Sequence, residues 1–469
     1  MSARRVHFVA IGGTGMGSLA GLLHARGWSV TGSDQKLYPP MSTALARWGI
    51  QVWEGFDPEH LRRANPDLVV IGNVVRPDNP EARAALDGGH RALSFSDALY
   101  ELAIRGRHSI VVAGTHGKTT TTALLAALLV ACGRDPSLLV GGIAENFDGS
   151  FRDGAGTDFV VEGDEYDTAF FDKTPKFLHY HADTAVITSV EFDHADIYRD
   201  LAHVQSAFRE LVRGMPADGA IVAALEAPAV REVVAGAPCR VVSYGVAEGD
   251  WCAGALEPGS EGTRFDVLHR GRPVGRALLP LWGRHNVANA LAALAVAALR
   301  GVRPEQAVAA LTGFRGVRRR LEVRGEARGI TVLDDFAHHP TAVRETIAAV
   351  RARFPGRRLV AVLEPRSNTS RRRVFQKEFA DALAGADRVV VSVVPDIPLY
   401  SATGEVTELL DAAALAADLR ARRVPAEAID GVGAIVEHLA GVLVPGDVVL
   451  AMSNGDFGGI WEKLTSRLR

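Results

Sequence analysis

Cysteine is scarce: the 469 residues contain three, Cys132, Cys239 and Cys252, widely separated and never in a C-x-x-C pair. That spacing excludes a disulfide framework and fits a reducing cytoplasm. An H-E-x-x-H run is also missing, so the histidines do not read as a zinc site. Charge of one sign is lacking. The formal net charge is −3, so no broad surface for nucleic acid or an anionic membrane is expected. No apolar segment is long enough to span a bilayer, so no membrane insertion is expected. The stretch 1–13 carries Arg4, Arg5 and a short apolar run. That run enters a glycine loop rather than a cleavage site, so it reads as a first strand and not a signal peptide. Tandem repeats and low-complexity tails are absent.

What is present is a globular balance, 47% hydrophobic against 23% charged, over a length that suits about two to four domains. Apolar runs alternate with helical segments, which argues for an α/β chain with parallel sheets. Three units are expected, at 1–107, 108–321 and 322–469. In the first, Val6–Ile11 reads as a strand and Ser18–Arg26 as a helix. Between them lies Gly12-Gly13-Thr14-Gly15-Met16-Gly17. Trp28–Thr31 and Leu68–Ile71 read as further strands. Ser33 and Asp34 fall about twenty residues past the loop, where an acidic side chain often meets a ribose. The fingerprint is imperfect, and a tight turn without ligand is the alternative.

The second unit opens on Gly114-Thr115-His116-Gly117-Lys118-Thr119-Thr120. A buried strand, Ser109–Ala113, is expected before it and a helix, Thr120–Cys132, after it. Loop N–H groups and a helix N-terminus offer partial positive charge to phosphate oxygens. Lys118 is placed to reach the β/γ-phosphates and Thr119 to ligate Mg²⁺. Glu162 ends a strand-like run within the acidic cluster Glu162-Gly163-Asp164-Glu165, which suits a divalent cation; a solvated acidic loop is the alternative. Asp193-His194 follows the next strand, Thr184–Ser189. Asn286 and Asn289 stand on the first turns of an Ala-rich helix, Asn286–Leu299, where they would read a purine edge or simply cap the helix.

In the third unit, strands are expected at Thr331–Leu333, Leu359–Leu363, Val389–Val393 and Val448–Met452. Asp334-Asp335-Phe336-Ala337-His338-His339-Pro340, Glu364-Pro365-Arg366-Ser367-Asn368-Thr369 and Ser453-Asn454-Gly455 each follow one of these strands. They converge on the sheet edge where α/β proteins hold ligands. Arg366 has the fork geometry that suits a carboxylate.

In order along the chain, these motifs resemble the Mur ligases, the ATP-dependent amino-acid and peptide ligases of peptidoglycan assembly. The resemblance rests on the N-terminal glycine loop, the shortened phosphate loop, Glu162, Asp193-His194, His285-Asn286 with Asn289, Arg320 before Leu321-Glu322, and Asp335 to Pro340. It implies a Rossmann-like UDP-binding domain, a central P-loop ATPase domain and a C-terminal Rossmann-like domain. It also implies ATP with Mg²⁺, two ions, held by Thr119, Glu162 and His194. Lys118, Glu162, His194 and His338 would be the catalytic groups. Gly114 to Thr120, His285, Asn286, Asn289, Arg320 and Asp335 would bind ATP. Gly12, Gly13, Thr14, Gly15, Met16, Gly17, Ser33 and Asp34 would hold the UDP portion of UDP-N-acetylmuramate.

Within the family, Tyr38 to Thr43, Phe170 to Lys173, His194 to Ile197, Glu364 to Thr369 and Ser453 to Gly455 resemble one branch. Its members attach the murein tripeptide L-alanyl-γ-D-glutamyl-meso-diaminopimelate in recycling. Arg366, Ser367 and Asn368 would face that peptide. Members that add L-alanine are the alternative. A P-loop switch, a dinucleotide-dependent redox enzyme and a non-catalytic UDP-sugar binder are more distant ones. Some Mur ligases carry a carbamylated lysine beyond the histidine matching His194; here that position is Arg209, so no carbamate is expected. A cytoplasmic monomer or weak homo-oligomer is the expected form.

Overall fold

The computed structural model describes residues 4–39, 41–395, 397, 399–402 and 404–469. Pro40, within the Tyr38–Thr43 stretch, and the first three residues of the stretch 1–13 lie outside the described residues. Three principal sheets follow one another along the chain. The first contains β1 (Arg5–Val9), β2 (Ser29–Asp34), β3 (Gln51–Glu54), β4 (Leu68–Ile71) and β5 (Ala92–Ser94). All pairings are parallel, in the order β3-β2-β1-β4-β5. That is a nucleotide-binding topology, with a switch point between β1 and β4.

The central sheet is larger. Its parallel heart uses β6 (His108–Ala113), β7 (Ser137–Ala144), β9 (Asp158–Gly163), β12 (Thr184–Ile187), β13 (Ala220–Ala224) and β14 (Arg240–Tyr244). One edge is closed by β8 (Gly149–Arg152), antiparallel to β7. The other is extended by β15 (Trp251–Ala253), β16 (Glu257–Gly259), β17 (Gly262–His269) and β18 (Arg272–Leu279). A separate hairpin, β10 (Asp167–Ala169) with β11 (Asp172–Pro175), stands beside the sheet.

The third sheet has the order β19-β20-β26-β21-β22-β25. These are β19 (Glu322–Ala327), β20 (Ile330–Asp335), β21 (Leu359–Leu363), β22 (Arg388–Ser392), β25 (Ala426–Ile429) and β26 (Val448–Met452). Only β19 is antiparallel in it. A short ribbon of β23 (Tyr400–Ser401) and β24 (Gly404–Glu405) lies outside it.

The strands at the centre of each principal sheet are apolar on both faces because helices cover both sides. Ile110, Val111, Val112 and Ala113 are all fully buried, but they divide between two hydrophobic clusters, one on each face of the central sheet. The helices Lys118–Ala131 and Arg284–Leu299 pack together on one of those faces. Both are apolar almost all round, as a helix enclosed on every side must be. Among the described residues no helix is long and apolar enough to cross a membrane. The three cysteines are free.

Two local readings need correction. The first helix runs from Thr14 to Ala25, so it begins four residues ahead of the expected Ser18. Gly15 and Gly17 are poor helix formers and read as loop. They stand inside the helix as glycines because a Cβ on Gly15 would press on the Phe95 ring and one on Gly17 on Met41. Asp334 and Asp335 do not follow a strand; they are the last residues of β20 and are buried.

Candidate active site

The phosphate loop joins β6 to the helix Lys118–Ala131. Its glycines are required by geometry. Gly114 has φ +136°, and a Cβ there would sit 2.1 Å from Thr188 Oγ1 and 2.9 Å from the Ser189 nitrogen. Gly117 has φ +81° and would place a Cβ 2.6 Å from Asn289 Oδ1. The loop therefore rests on the Thr188–Ser189 segment after β12 and on Asn289. The Thr115 amide donates to Ser189 O at 3.0 Å and the His116 amide to Ser189 Oγ at 2.8 Å.

Three adjacent parallel strands, β12, β6 and β9, deliver the charged groups at their C-terminal ends. Lys118 Nζ donates to Glu165 Oε2 at 2.7 Å and to Gly114 O at 2.6 Å. Burial opposes the lysine charge, but Glu165, Asp164 and Glu162 outweigh it and raise its proton affinity. Thr119 Oγ1 donates to Glu162 Oε1 at 2.8 Å, and the Gly141 amide donates to Glu162 Oε2 at 2.7 Å. His194 Nε2 lies 2.9 Å from Glu165 Oε1. Burial works against an imidazolium here, but Asp193 and Glu165 prevail and push His194 up to about 9. Glu165 is held below the usual carboxylate range: burial opposes ionisation, and the charges of Lys118 and His194 overcome it. The His194 backbone is left-handed, φ 53°, and its ring lies 4.2 Å from that of Tyr166.

The donor sets fit Mg²⁺. Thr119 and Glu162 offer only hard oxygens, which that ion prefers. Asp164, Glu165 and His194 bring ligand atoms within 4.8 Å of one another. An ion at His194 would take the place of the proton it shares with Glu165. The sequence singled out Glu162 and His194; the group that joins His194 to Lys118 is Glu165, which was read only as part of an acidic run. Arg209 lies on the helix Leu201–Arg213, where Nη2 donates to Gln205 Oε1 at 3.4 Å.

Other expected residues fall around this centre. Arg320 Nη2 reaches to 3.5 Å from Thr119 Oγ1, and its guanidinium lies 5.0 Å from the Phe336 ring centroid. Asn286 donates to Trp282 O at 2.8 Å and accepts from Asn289 Nδ2 at 3.3 Å. His285 Nδ1 lies 3.7 Å from Glu345 Oε2. His338 Nδ1 donates to Phe336 O at 3.0 Å, and its Nε2 lies 3.7 Å from Asp193 Oδ2. Burial lowers its proton affinity.

Asp335 is committed inside the third unit. It accepts from the amides of Leu321 and Ala337, each at 2.8 Å, and from Thr346 Oγ1 at 3.3 Å. Arg366 is half exposed and 3.2 Å from Asp456 Oδ1. Ser367 Oγ bonds Ser370 Oγ at 2.9 Å and accepts from its amide at 3.0 Å. Thr369 Oγ1, on the same loop as Asn368, accepts from the Ala195 amide at 3.0 Å. This loop therefore reaches the residue next to His194.

The glycine loop of the first unit lies between β1 and the first helix. Asp34 Oδ2 accepts from the Gly12 amide at 2.7 Å. The carboxylate expected at a ribose thus holds the loop itself. Ser33 is fully buried, and its Oγ has no hydrogen-bond partner among the described residues. Gly13 is open, with nothing within 4 Å of a Cβ, and it precedes the first turn from Thr14 to Gly17.

Family models match in chain order. Residues 5–107 match the Mur ligase family catalytic domain, 112–297 the Mur ligase middle domain, and 319–455 the Mur ligase glutamate ligase domain. An Escherichia coli protein named UDP-N-acetylmuramate–L-alanyl-γ-D-glutamyl-meso-2,6-diaminoheptandioate ligase is 40% identical over 99% of this chain and 98% of its own. A Salinibacter ruber protein named UDP-N-acetylmuramate–L-alanine ligase is 40% identical over 98% and 93%. The crystal structure of a murein peptide ligase from Psychrobacter arcticus is 35% identical, covers 99% of both chains and superposes with a TM-score of 0.73. Agreement of this extent, across all three sheets and the loops that join them, means that the chain belongs to the Mur ligase family.

Proposed function

We propose that the chain is an ATP-dependent ligase that joins the carboxyl group of UDP-N-acetylmuramate to the amine of L-alanyl-γ-D-glutamyl-meso-diaminopimelate. An acyl phosphate is the intermediate. The observation that carries this reading is the meeting of Lys118, Thr119, Glu162, Glu165 and His194 at the ends of three adjacent parallel strands, with Arg320 against Thr119. The acceptor choice draws support from the Escherichia coli and Psychrobacter arcticus relatives. The half-exposed Arg366 also offers a guanidinium to a peptide carboxylate.

In this scheme the substrate carboxylate attacks the γ-phosphorus of ATP and ADP leaves. Two anions must approach, so positive charge has to be in place beforehand. Lys118 supplies it from the loop and Arg320 from the junction with the third unit. Thr119 and Glu162 would hold one Mg²⁺, and Asp164, Glu165 and His194 a second. Bound there, Mg²⁺ neutralises phosphate and carboxylate oxygens. The peptide amine then attacks the acyl carbon, loses a proton and expels phosphate. His338 is the base in this reading: burial keeps its imidazole neutral beside Asp193.

Asn286 and Asn289 face the nucleotide base and the loop, while His285 and Asp335 shape the ATP pocket. Gly12 to Gly17, Ser33 and Asp34 hold the UDP portion. Arg366, Ser367 and Asn368 face the tripeptide. Units at 1–107, 108–321 and 322–469, a cytoplasmic setting, and a monomer or weak homo-oligomer complete the reading.

The test is ADP release from ATP and Mg²⁺ with UDP-N-acetylmuramate, offering either the tripeptide or L-alanine, with product mass read by mass spectrometry. Turnover with the tripeptide and the matching amide mass is expected. Turnover with L-alanine alone would replace the acceptor assignment with the reading that the Salinibacter ruber relative favours. ATP hydrolysis without amide would overturn the ligase reading.

A further inference from the structure

His116, Glu191 and His339 meet at a point that the chemistry above does not use. They come from three places: the phosphate loop, the segment after β12, and the N-cap of the helix Pro340–Arg353 in the third unit. His116 Nε2 lies 3.7 Å from Glu191 Oε2, and His339 Nδ1 lies 3.7 Å from the same oxygen. All three ligand atoms fall within 4.8 Å of one another. The imidazole centroids are 4.6 Å apart.

Hydrogen bonds orient two of the three groups, and a ring nitrogen of the third is left without one. His339 Nε2 donates to Phe192 O at 3.2 Å, and the Thr341 amide donates to Nδ1 at 3.3 Å. That pattern fixes the tautomer: Nδ1 is the acceptor nitrogen, 3.7 Å from Glu191 Oε2, and a metal there would displace the long bond from the Thr341 amide. His116 Nε2 is buried and has no hydrogen-bond partner among the described residues. Thr341 Oγ1 donates to Glu191 Oε2 at 2.6 Å and orients the carboxylate. The rim is accessible: Glu191 keeps 35% of its side-chain surface.

Two imidazole nitrogens and one carboxylate oxygen, with room for a fourth ligand, are a donor set of the zinc class. Mg²⁺ prefers oxygen throughout. We propose that His116, Glu191 and His339 bind one transition-metal ion of the zinc class, which ties the phosphate loop to the third unit. The site is distinct from the Thr119–Glu162 and Glu165–His194 sets, and it does not depend on the ligase reading. An ion there opposes separation of the two units.

The test uses Co²⁺ as the probe, on tag-free full-length protein with excess Mg²⁺ present to fill the oxygen-rich sites. Visible ligand-field absorption is followed through a titration. One equivalent with the intense bands of four-coordinate Co²⁺ is expected. Glu191→Gln removes the anionic ligand. His339→Asn removes the imidazole but keeps an N-capping side chain, so the helix retains its start. Each variant is expected to lose the bands and bind at least tenfold more weakly, while His194→Gln keeps both. Absence of the bands, their survival in either Glu191→Gln or His339→Asn, or their loss in His194→Gln would overturn the assignment.

Discussion

Lys118 and Glu165 form a buried ion pair, 2.7 Å between Nζ and Oε2, with the lysine side chain 12% exposed and the glutamate 1%. The pair holds the ammonium at the mouth of the phosphate loop before nucleotide arrives. Glu165 keeps His194 as a second partner, so removing the lysine does not strand the carboxylate. Lys118→Ala is therefore expected to remain folded by circular dichroism and to lose amide formation by about 10²–10³-fold in kcat. Near-normal turnover in that variant would remove the lysine from the scheme.

Arg320, at the junction with the third unit, contacts Thr119 of the loop and lies over Phe336. Its planar fork, rather than its charge alone, suits phosphate oxygens. Arg320→Lys is expected to lower kcat by about 10²-fold with little change in KM for UDP-N-acetylmuramate. A steady-state comparison in which KM alone moves would place Arg320 in ground-state binding instead.

Arg366 is paired with Asp456 at the surface, and an exposed pair contributes little to folding. Arg366→Ala is thus expected to leave stability within about 0.5 kcal/mol. KM for the tripeptide should rise by about 10–100-fold as a charge-assisted contact is lost. KM for ATP should not move. Equal effects on both substrates would argue against a role at the acceptor.

Asp334 gives a pH prediction. Burial in β20 raises its carboxyl from 3.8 to about 6, with Arg319 only partly opposing. The folded pKa exceeds the unfolded one, so the folded state binds the proton more tightly. Its contribution to stability is full below pH 3.8 and is lost as pH rises through about 6. Asp334→Asn removes that dependence. The difference in unfolding free energy between the wild-type protein and the variant should change by about 2–3 kcal/mol between pH 4 and 7. Parallel stability curves across this window would refute the assignment.

Much of the architecture was legible because it is local. Leu68–Ile71, Leu359–Leu363 and Val448–Met452 coincide with their expected ranges, since strands buried on both faces read as unbroken apolar runs. The hairpin β7–β8 did not stand out. Its strands carry Gly141, Gly142 and Gly149, and its pairing is set by contacts across the sheet edge. The phosphate loop was legible from a contiguous motif. Which carboxylate of Glu162-Gly163-Asp164-Glu165 meets Lys118 was not, because it depends on the chain's path after β9. That Asp34 Oδ2 takes the Gly12 amide, and that the Asp335 oxygens take the amides of Leu321 and Ala337, was not legible, because both depend on how the chain turns around the strand ends. His339 was hidden beside His338: only the helix start turns one toward Glu191 and the other toward Asp193.

Ala195, the neighbour of His194, is held on both sides by the third unit. Its amide donates to Thr369 Oγ1, and its carbonyl accepts from the Ala402 amide at 3.1 Å. Separating the units would break both bonds and release the backbone that keeps His194 in its left-handed turn. The open chain would then hold ATP at an incompletely formed catalytic centre. If that loop faces the peptide as proposed, this connectivity would guard against idle hydrolysis, because its docking would complete the centre.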